Sequence, residues 1–328
     1  MTAEQLYPPF PPALLEAIDR AREVIVVGHA NPDGDCIFSE LAMKEILTSL
    51  GKRVTLANEG PFDRDEIKAY EGEFTATIPE DLIARRPLVV IVDCSTPDRP
   101  GELMRPLMDL ETIVLDHHSS GSPFAKDGLG YIQPASVSTT MIVDALRRHL
   151  NVPLTGRLAR CLYKGFATDT GFFHFINAEV GGETLRRVAA FVDEGVSPYE
   201  LYDEMHDGRP LSYFKALAAL MDRVVSLKDG ALLYTWQGID EEVEGKPADD
   251  IYAQLLQVAG VKAVLFFKEK EGHVDVGMRS KRDSGLDIGA FAAAHGGGGH
   301  RYAAGARIDG SLDDVMRRTV EDLIPLLG

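Results

Sequence analysis

The chain has 328 residues, with 34 basic and 51 acidic side chains and a formal net charge of −17 at pH 7. The length suits two domains, each large enough to bury a core. The acidity argues against a protein that coats long nucleic acid, because such proteins need a basic surface. The sequence contains no run of about 18 or more uncharged apolar residues, so we expect no membrane span.

The cysteines and the N-terminal region indicate the cellular compartment. The three cysteines, Cys36, Cys94 and Cys161, are far apart and form no CxxC motif. This favours a reducing environment over a disulfide framework. The first twenty residues lack a basic segment followed by an apolar run, so we expect no signal peptide. We therefore predict a cytoplasmic protein.

Four short apolar runs in the first 115 residues have the length of buried strands. Their unbroken Val, Ile and Leu content indicates burial on both faces, which is typical of a parallel sheet. Residues 13–21, before the first run, and residues 39–50, between the first two runs, have helical spacing. This indicates that strands and helices alternate. The predicted strands are residues 24–27, 54–57, 88–92 and 112–115.

The second part of the chain predicts a smaller α/β domain. Glycine and proline residues between 195 and 210 mark a junction, followed by a connecting helix at 211–225. We therefore divide the chain into residues 1–195, a linker over 196–225 and a C-terminal domain over 226–328. Within the latter we expect strands at 231–236, 261–267 and 274–278, and helices at 249–259, 288–294 and 312–327.

Acidic and histidine side chains follow several of the predicted strands. The segment after residues 24–27 holds His29, Asp33 and Asp35, whereas Asp93 and Asp116 directly follow the next strands. Ligands of open parallel sheets bind at the carboxyl ends of the strands. One imidazole and several carboxylates at that edge predict a site for divalent metal ions.

These residues carry a resemblance to a known family. HANPDGD (29–35), Asp93 after LVVIV, Asp116-His117-His118 and Asp169 resemble the four motifs of the DHH phosphoesterase superfamily. GGGGHRYAAG (296–305), with Arg279-Ser280 before it, resembles the C-terminal substrate domain associated with that superfamily. The resemblance spans nearly the whole chain and is strongest to the nanoRNase and pAp-phosphatase subgroup. It implies an α/β fold with a largely parallel N-terminal sheet flanked by helices. It also implies an active site in the cleft between that catalytic domain and the smaller C-terminal domain.

The resemblance implies two manganese ions as cofactors. The first ion would bind His29, Asp33 and Asp93, and the second would bind Asp35, Asp93, His117 and Asp169. Asp93 would bridge them, and a water shared by both ions would attack phosphorus in line. Mixed carboxylate and imidazole ligands suit manganese better than magnesium, which prefers oxygen ligands and keeps its waters.

Further roles follow from the same resemblance. Asp116 would orient a ligand histidine, and His118 would face the substrate phosphate as a donor or acid. In the C-terminal domain, backbone amides of a glycine loop and basic side chains would hold a phosphate. The substrate-binding residues implied are Arg279, Ser280, Gly297, Gly298, Gly299, His300 and Arg301.

The expected reaction is hydrolysis of short oligonucleotides, including linear dinucleotides, or of pAp-type 3′,5′-bisphosphates. Pyrophosphatase, exopolyphosphatase and cyclic or linear dinucleotide phosphodiesterase activities remain alternatives, as does an inactive nucleotide-binding regulator. We expect short RNA or DNA and phosphorylated nucleotides as partners, no membrane, and a possible homodimer. The first motif departs from the family pattern, because Phe38 precedes Ser39 where glycine is usual. This substitution is expected to affect the size of the substrate.

Overall fold

A computed structural model describes residues 1–118, 129–241, 243, 245 and 247–328, except the side chain of His300. The chain divides into two compact units, Met1–Asp207 and Gly208–Gly328. Among the described residues, no helix combines the length and apolar character needed to cross a bilayer.

The first unit contains a five-stranded sheet in the order β2-β1-β3-β4-β5, and every neighbouring pair is parallel. The predicted parallel α/β fold is thereby confirmed. The strands are β1 (Glu23–Val27), β2 (Arg53–Ala57), β3 (Leu88–Val92), β4 (Thr112–Asp116) and β5 (Gly130–Ile132).

The central strand β3 shows why these runs are uniformly apolar. All five of its residues are buried. Val90 and Val92 belong to the core on one face of the sheet, whereas Val89 and Ile91 belong to the core on the other face. Because successive side chains point to opposite faces and helices cover both, alternation with polar residues would bury polar groups.

Helices pack on both sides of this sheet. Two short 3₁₀ segments, Glu71–Glu73 and Gly101–Leu107, lie between them. The helices of the first unit are α1 (Ala3–Leu6), α2 (Pro12–Arg20), α3 (Gly34–Ser49), α4 (Asp65–Lys68), α5 (Glu80–Ala84), α6 (Thr139–His149), α7 (Gly156–Asp169), α8 (Ala178–Asp193) and α9 (Pro198–His206).

Helix α3 begins five residues before the predicted start at residue 39. Asp33 is its N-cap, and one of its carboxylate oxygens accepts a hydrogen bond from the backbone N–H of Cys36 at 3.1 Å. Such a cap satisfies one of the donors that the first helical turn leaves unpaired. The early start places Asp35 in the first turn of α3, after the loop that follows β1.

The second unit holds a six-stranded, mostly antiparallel sheet in the order β10-β11-β9-β8-β7-β6, in which only β7 and β8 are parallel. The short strands β6 and β10 were not predicted, because three residues carry little periodicity. The strands are β6 (Val225–Leu227), β7 (Leu232–Gln237), β8 (Ala263–Lys270), β9 (His273–Ser280), β10 (Gly298–His300) and β11 (Ala303–Asp309).

Helices cover both faces of the second sheet as well. One core includes residues of α12 and α13, and a separate core includes residues of α10 and α11. The 3₁₀ turn Ile324–Leu327 follows the last helix. The helices are α10 (Leu211–Asp222), α11 (Pro247–Leu255), α12 (Ile288–Ala294) and α13 (Leu312–Leu323).

Candidate metal centre

The loop from β1 to α3 brings His29, Asp33 and Asp35 to the carboxyl edge of the first sheet. Gly28 makes this possible, because a Cβ at that position would lie 2.2 Å from Cys36 Sγ and 2.5 Å from Glu40 Oε1. A residue with a side chain would push α3 away from the end of β1. The glycine therefore lets the first turn of α3 approach the strand that carries His29.

Asp93 lies at the centre of the cluster. It follows β3 directly and adopts a left-handed backbone conformation with a φ of 63°, which is uncommon for a residue other than glycine. Its Oδ2 lies 3.5 Å from His29 Nε2, and its Oδ1 lies 3.7 Å from His117 Nε2. The two oxygens of one buried carboxylate thus face two different histidines.

The remaining predicted ligands complete two groups around Asp93. His29 Nε2 lies 3.8 Å from Asp33 Oδ1, and His117 Nε2 lies 3.9 Å from Asp35 Oδ2 and 3.6 Å from Asp169 Oδ2. These separations exceed hydrogen-bond lengths. Two donors about 2.1 Å from a common ion lie roughly 3 to 3.5 Å apart. The structure therefore brings all six predicted ligands together at spacings close to those of a coordination shell.

The electrostatics of the cluster also fit bound cations. Burial raises the pKa of Asp35 well above its usual value, and the neighbouring charges of Asp93 and Asp169 raise it further. Burial, opposed by His117 and reinforced by Asp93, raises the pKa of Asp169 to about 7. Carboxylates this close need positive charge among them to be ionised together at neutral pH. The donor chemistry, oxygen and imidazole nitrogen, suits divalent metal ions.

Cys36 lies behind this cluster. Its Sγ is near enough to His29 and Asp93 for a metal-binding group on distance alone. However, the sulfur accepts a hydrogen bond from the backbone N–H of His29 at 3.2 Å and contacts Glu40 Oε1 at 3.8 Å. Burial raises the pKa of the thiol to about 12, and these contacts engage the buried sulfur with the His29 backbone and the Glu40 side chain.

His118 and Asp116 form a pair at the end of β4, so Asp116 orients His118 and not, as expected, one of the candidate ligand histidines. His118 Nδ1 lies 2.8 Å from Asp116 Oδ1, and the same oxygen accepts a hydrogen bond from the backbone N–H of His118. Burial alone would lower the pKa of His118, but the hydrogen bond to Asp116 and the charges of Asp93 and Asp169 outweigh it and raise that pKa. The raised pKa favours the protonated imidazole, which suits a donor to a phosphate oxygen.

The structure adds residues that the sequence analysis missed. The hydroxyl of Thr139 donates to Asp93 Oδ1 at 2.8 Å, and the hydroxyl and backbone N–H of Thr140 donate to Asp35 Oδ1 at 2.8 and 3.0 Å. Both threonines open α6, whose N-cap is Ser138. The run of hydroxyl residues before a helical pattern is a recognisable N-cap signal, but nothing local indicates which carboxylates it meets.

The backbone carbonyl of Ser136 fixes the orientation of the His117 ring. Its Nδ1 lies 3.3 Å from Ser136 O, which leaves Nε2 to face the carboxylates. Hydrogen bonds from the far nitrogen of a ligand histidine commonly fix its ring orientation. The loop before α6 therefore supports His117, and the first turn of α6 supports Asp35 and Asp93 through the two threonines.

Phe38 does not sit at the surface of the cluster. Its side chain is fully buried in α3, with its ring 5.1 Å from the ring of Tyr70 and 5.1 Å from Lys164 Nζ. A side chain in that position cannot touch a substrate. The departure from the family pattern is therefore accommodated in the core of the first unit.

In the second unit, Arg279 and Ser280 point to opposite faces of β9. The Arg279 guanidinium lies 4.6 Å from the ring centre of Tyr252 and donates to Met278 O at 3.0 Å. Ser280 Oγ is buried and has no hydrogen-bond partner among the described residues. Successive side chains of a strand alternate between faces, so these two side chains cannot approach one phosphate from the same side.

The glycine loop has a packing role in the structure. A Cβ at Gly297 would lie 2.1 Å from Gly305 O, and a Cβ at Gly299 would lie 2.6 Å from Ala303 O. The N–H of Gly297 is also used, since it donates to Ala292 O at the end of α12. Both glycines therefore allow β11 to pass close to β10, whereas a Cβ at Gly298 would meet nothing within 4 Å.

The two predicted residues that follow lie on either side of the β10–β11 turn. His300 is the last residue of β10, and its side chain lies outside the described residues. Arg301 is exposed, its guanidinium lies 5.6 Å from the ring centre of Tyr302, and its carbonyl accepts a hydrogen bond from the N–H of Ile288. The backbone at Arg301 is thus tied to the start of α12, while its charge remains at the surface.

Comparison with known proteins agrees with this architecture. Over 299 residues the chain is 29% identical to the bifunctional oligoribonuclease and PAP phosphatase NrnA of Thermus thermophilus, covering 91% of this chain and 88% of that protein. It is 25% identical over 311 residues to the protein of the same name from Bacillus subtilis, covering 90% and 92%. The crystal structure of an exopolyphosphatase-related protein from Bacteroides fragilis has the same fold, with a TM-score of 0.84, 21% identity and 96% of both chains covered.

Two family models match in succession. Residues 23–166 match the N-terminal domain of the DHH family, and residues 229–324 match the DHHA1 domain. The first match contains the candidate ligands from His29 to His117, and the second contains Arg279 and the glycine loop. The resemblance noted from the motifs is thereby confirmed: the chain contains a DHH-family N-terminal domain followed by a DHHA1 domain.

Proposed function

We propose that this protein is a manganese-dependent phosphoesterase that hydrolyses short oligonucleotides, including linear dinucleotides, and pAp-type 3′,5′-bisphosphates. The observation that carries the proposal is Asp93, whose two oxygens face His29 and His117 at 3.5 and 3.7 Å. The names of the relatives from Thermus thermophilus and Bacillus subtilis support the choice of substrates.

The proposed metal ligands form two sets that share Asp93. His29 and Asp33 would hold one ion with Asp93, and Asp35, His117 and Asp169 would hold the other. Two divalent ions at such a centre supply an activated water and neutralise charge on the phosphate. The carboxylates and imidazoles bind and position the ions, and Thr139 and Thr140 hold Asp93 and Asp35 in place by hydrogen bonds.

His118 is the proposed proton donor to the leaving oxygen or to a phosphate oxygen. Asp116 fixes the orientation of its ring through the 2.8 Å contact at Nδ1 and favours the protonated imidazole. A positioned acid or donor of this kind contributes about 10²–10³-fold to a rate. His118 would thus act on the substrate, and the fully buried Asp116 would position its ring. Neither residue is counted among the ligands.

The second unit would bind the substrate through its charged and polar groups. Arg279 is the proposed phosphate ligand, because a guanidinium can hold a phosphate through two hydrogen bonds. The Tyr252 ring supports the Arg279 side chain at 4.6 Å. Residues 297–299, His300 and Arg301 remain proposed contributors to that site, whereas the buried Ser280 side chain faces away from it. We propose residues 226–328 as the substrate-binding domain and residues 1–195 as the catalytic one.

A substrate panel with purified protein and Mn²⁺ tests the proposal. The panel contains pAp, pApA, pGpG, a five-residue RNA, cyclic dinucleotides and pyrophosphate. We expect turnover of pAp or the short linear oligonucleotides that disappears with a chelator and returns with Mn²⁺. Preference for pyrophosphate or cyclic dinucleotides would select one of the alternatives, and no turnover with metal bound would indicate a nucleotide-binding regulator. The homodimer and the cytoplasmic location stay predictions.

A further inference from the structure

A short loop after α7 exposes three ring-bearing side chains in succession. We call residues 172–175 the aromatic loop. Phe173 is 37% exposed and Phe175 is 55% exposed, and His174 between them is exposed as well. The rings of His174 and Phe175 meet edge to face at 4.9 Å. Exposed phenylalanines side by side on one loop commonly mark a binding surface.

The loop backbone is strained, and its strain is held in place. Gly171, Phe172 and Phe173 all have positive φ angles, of 54°, 49° and 76°. For a bulky residue this conformation is a true outlier, and such outliers cluster at functional sites. The N–H of Phe175 donates to Thr170 O at 3.0 Å, and the N–H of Phe173 donates to the Thr170 hydroxyl at 3.3 Å. The loop is therefore a fixed turn.

A close contact with glycine fixes the Phe175 ring itself. A Cβ at Gly171 would lie 2.8 Å from the edge of that ring, so the ring can rest there only above a glycine. Phe173 is anchored differently, since its ring meets the buried ring of Phe166 edge to face at 5.2 Å. Each ring has one supported side and an exposed remainder, which is the geometry of a preformed surface.

The loop follows a partly exposed residue of the metal centre. Asp169 ends α7 two residues before Gly171, and its side chain is 30% exposed, whereas those of His29, Asp35 and Asp93 are 5% exposed or less. The side chain of Asp33 is 39% exposed, so Asp33 and Asp169 are both accessible to a substrate that approaches the centre. The hydrogen bond from Phe175 to Thr170 O keeps the Phe175 backbone beside the residue that follows Asp169.

Phe172 differs from Phe173 and Phe175, because its ring is not exposed but packs against another helix. Its ring packs against Tyr202 and His206 of α9, each at 4.9 Å between ring centres. That contact and the contact between Phe173 and Phe166 attach the loop to the rest of the first unit. Phe172 thus provides the anchoring that a core role would require, and the exposure of Phe173 and Phe175 needs another reason.

We propose that Phe175, whose ring rests above Gly171, is a stacking platform for a nucleobase of the substrate. The inference rests on the proposed function and narrows it to substrates that carry a base next to the scissile phosphate. Aromatic side chains stack with every base because each base has a π face, whereas pyrophosphate and polyphosphate offer nothing to stack. Phe175 would contribute through binding and alignment, without touching the reacting atoms.

The test combines a protein change with a substrate change. Phe175→Ala is assayed on pApA and on two analogues that lack the base at one position or the other. We expect kcat/KM of Phe175→Ala on pApA to fall about five- to 140-fold. On the analogue that lacks the stacked base, wild type and variant should be equal within about twofold. Phe214→Ala, which alters a phenylalanine of similar exposure in α10, is the matched control.

A second measurement needs no turnover. Stacking quenches the fluorescence of 2-aminopurine, so binding of its riboside 5′-monophosphate should quench with wild type and Phe214→Ala and fail to quench with Phe175→Ala. Equal losses of Phe175→Ala on pApA and on both analogues, or no loss on any, would overturn the platform. If wild type hydrolyses no phosphoester, the proposed function fails, and the quenching result still decides for or against the platform.

Discussion

Asp93 is the single residue on which both proposed ions depend. We expect Asp93→Asn, which keeps the size of the side chain and removes its charge, to lower kcat by about a thousandfold or more. The loss should be accompanied by loss of bound manganese, measured by elemental analysis of the purified protein. Asp193→Asn, at an exposed position that ends α8, is the control and should retain both. Less than a tenfold loss in Asp93→Asn would contradict a shared ligand.

A substitution of His118 distinguishes between two roles for this residue, a metal ligand and a proton donor. The residue lies near Asp93 but makes its shortest contact with Asp116, at 2.8 Å. We expect His118→Ala to keep its manganese and to lose about 10²–10³-fold in kcat with little change in KM. Metal content that falls together with activity would make His118 a ligand instead.

At the scale of elements, α3 packs a buried carboxyl group against the end of β1. Glu40 is fully buried, and its Oε1 accepts a hydrogen bond from Asn58 Nδ2 at 2.9 Å. Burial raises the pKa of Glu40 well above its usual value, and the hydrogen bond from Asn58 only partly opposes this. The protonated acid therefore belongs to the folded state, behind Cys36 and the metal centre.

This packing makes stability depend on pH in a defined direction. Above about pH 4.3 the unfolded chain releases the Glu40 proton while the folded chain keeps it. The free energy of unfolding should therefore fall with rising pH by up to about 1.4 kcal/mol per unit from this group alone. We expect Glu40→Gln, measured by urea unfolding in metal-free buffer, to gain stability relative to wild type between pH 5 and pH 7. Parallel curves for the two proteins would show that Glu40 titrates alike in both states.

Two neighbouring glycines at the β10–β11 hairpin allow the effect of packing to be measured separately from the effect of substrate binding. A Cβ at Gly297 would clash with the β11 backbone at 2.1 Å, whereas a Cβ at Gly298 meets nothing within 4 Å. We expect Gly297→Ala to lose about 1–3 kcal/mol of stability, the usual cost of overpacking. Gly298→Ala should keep its melting temperature, so any rise in its KM would report on substrate binding. Equal melting temperatures for the two variants would contradict the close approach of β11.

For the whole molecule, metal binding should stabilise one unit in particular. All six proposed ligands lie between residues 29 and 169, within Met1–Asp207, whereas the single tryptophan, Trp236, lies in Gly208–Gly328. At a Mn²⁺ concentration 100 times its Kd, we expect about 2.7 kcal/mol of added stability. Calorimetry of wild type and Asp93→Asn should show a shift in the melting temperature only in wild type. Trp236 fluorescence then tells whether the second unit unfolds with the first. No shift in wild type would contradict a metal centre.

The sequence by itself determined the parallel first sheet and most of the candidate ligands. Unbroken apolar runs such as β3 indicate burial on both faces of the sheet. Residues such as His29 and Asp93 come shortly after the strands end. Because the strands are parallel, these residues lie at the same edge of the sheet. The motif that carries Asp169 was recognisable too, but its spacing did not place it at that edge.

Only the tertiary structure decided which side chains meet across long stretches of chain. Asp169 reaches the centre because α7 packs with its C-terminal end at the sheet edge, and Thr139 reaches Asp93 because α6 begins there. Arg279 and Ser280, adjacent in the sequence, are separated by the alternation of β9, and Phe38 is withdrawn into the core. Local patterns encode the period and ends of an element, whereas these contacts depend on how elements many residues apart pack together.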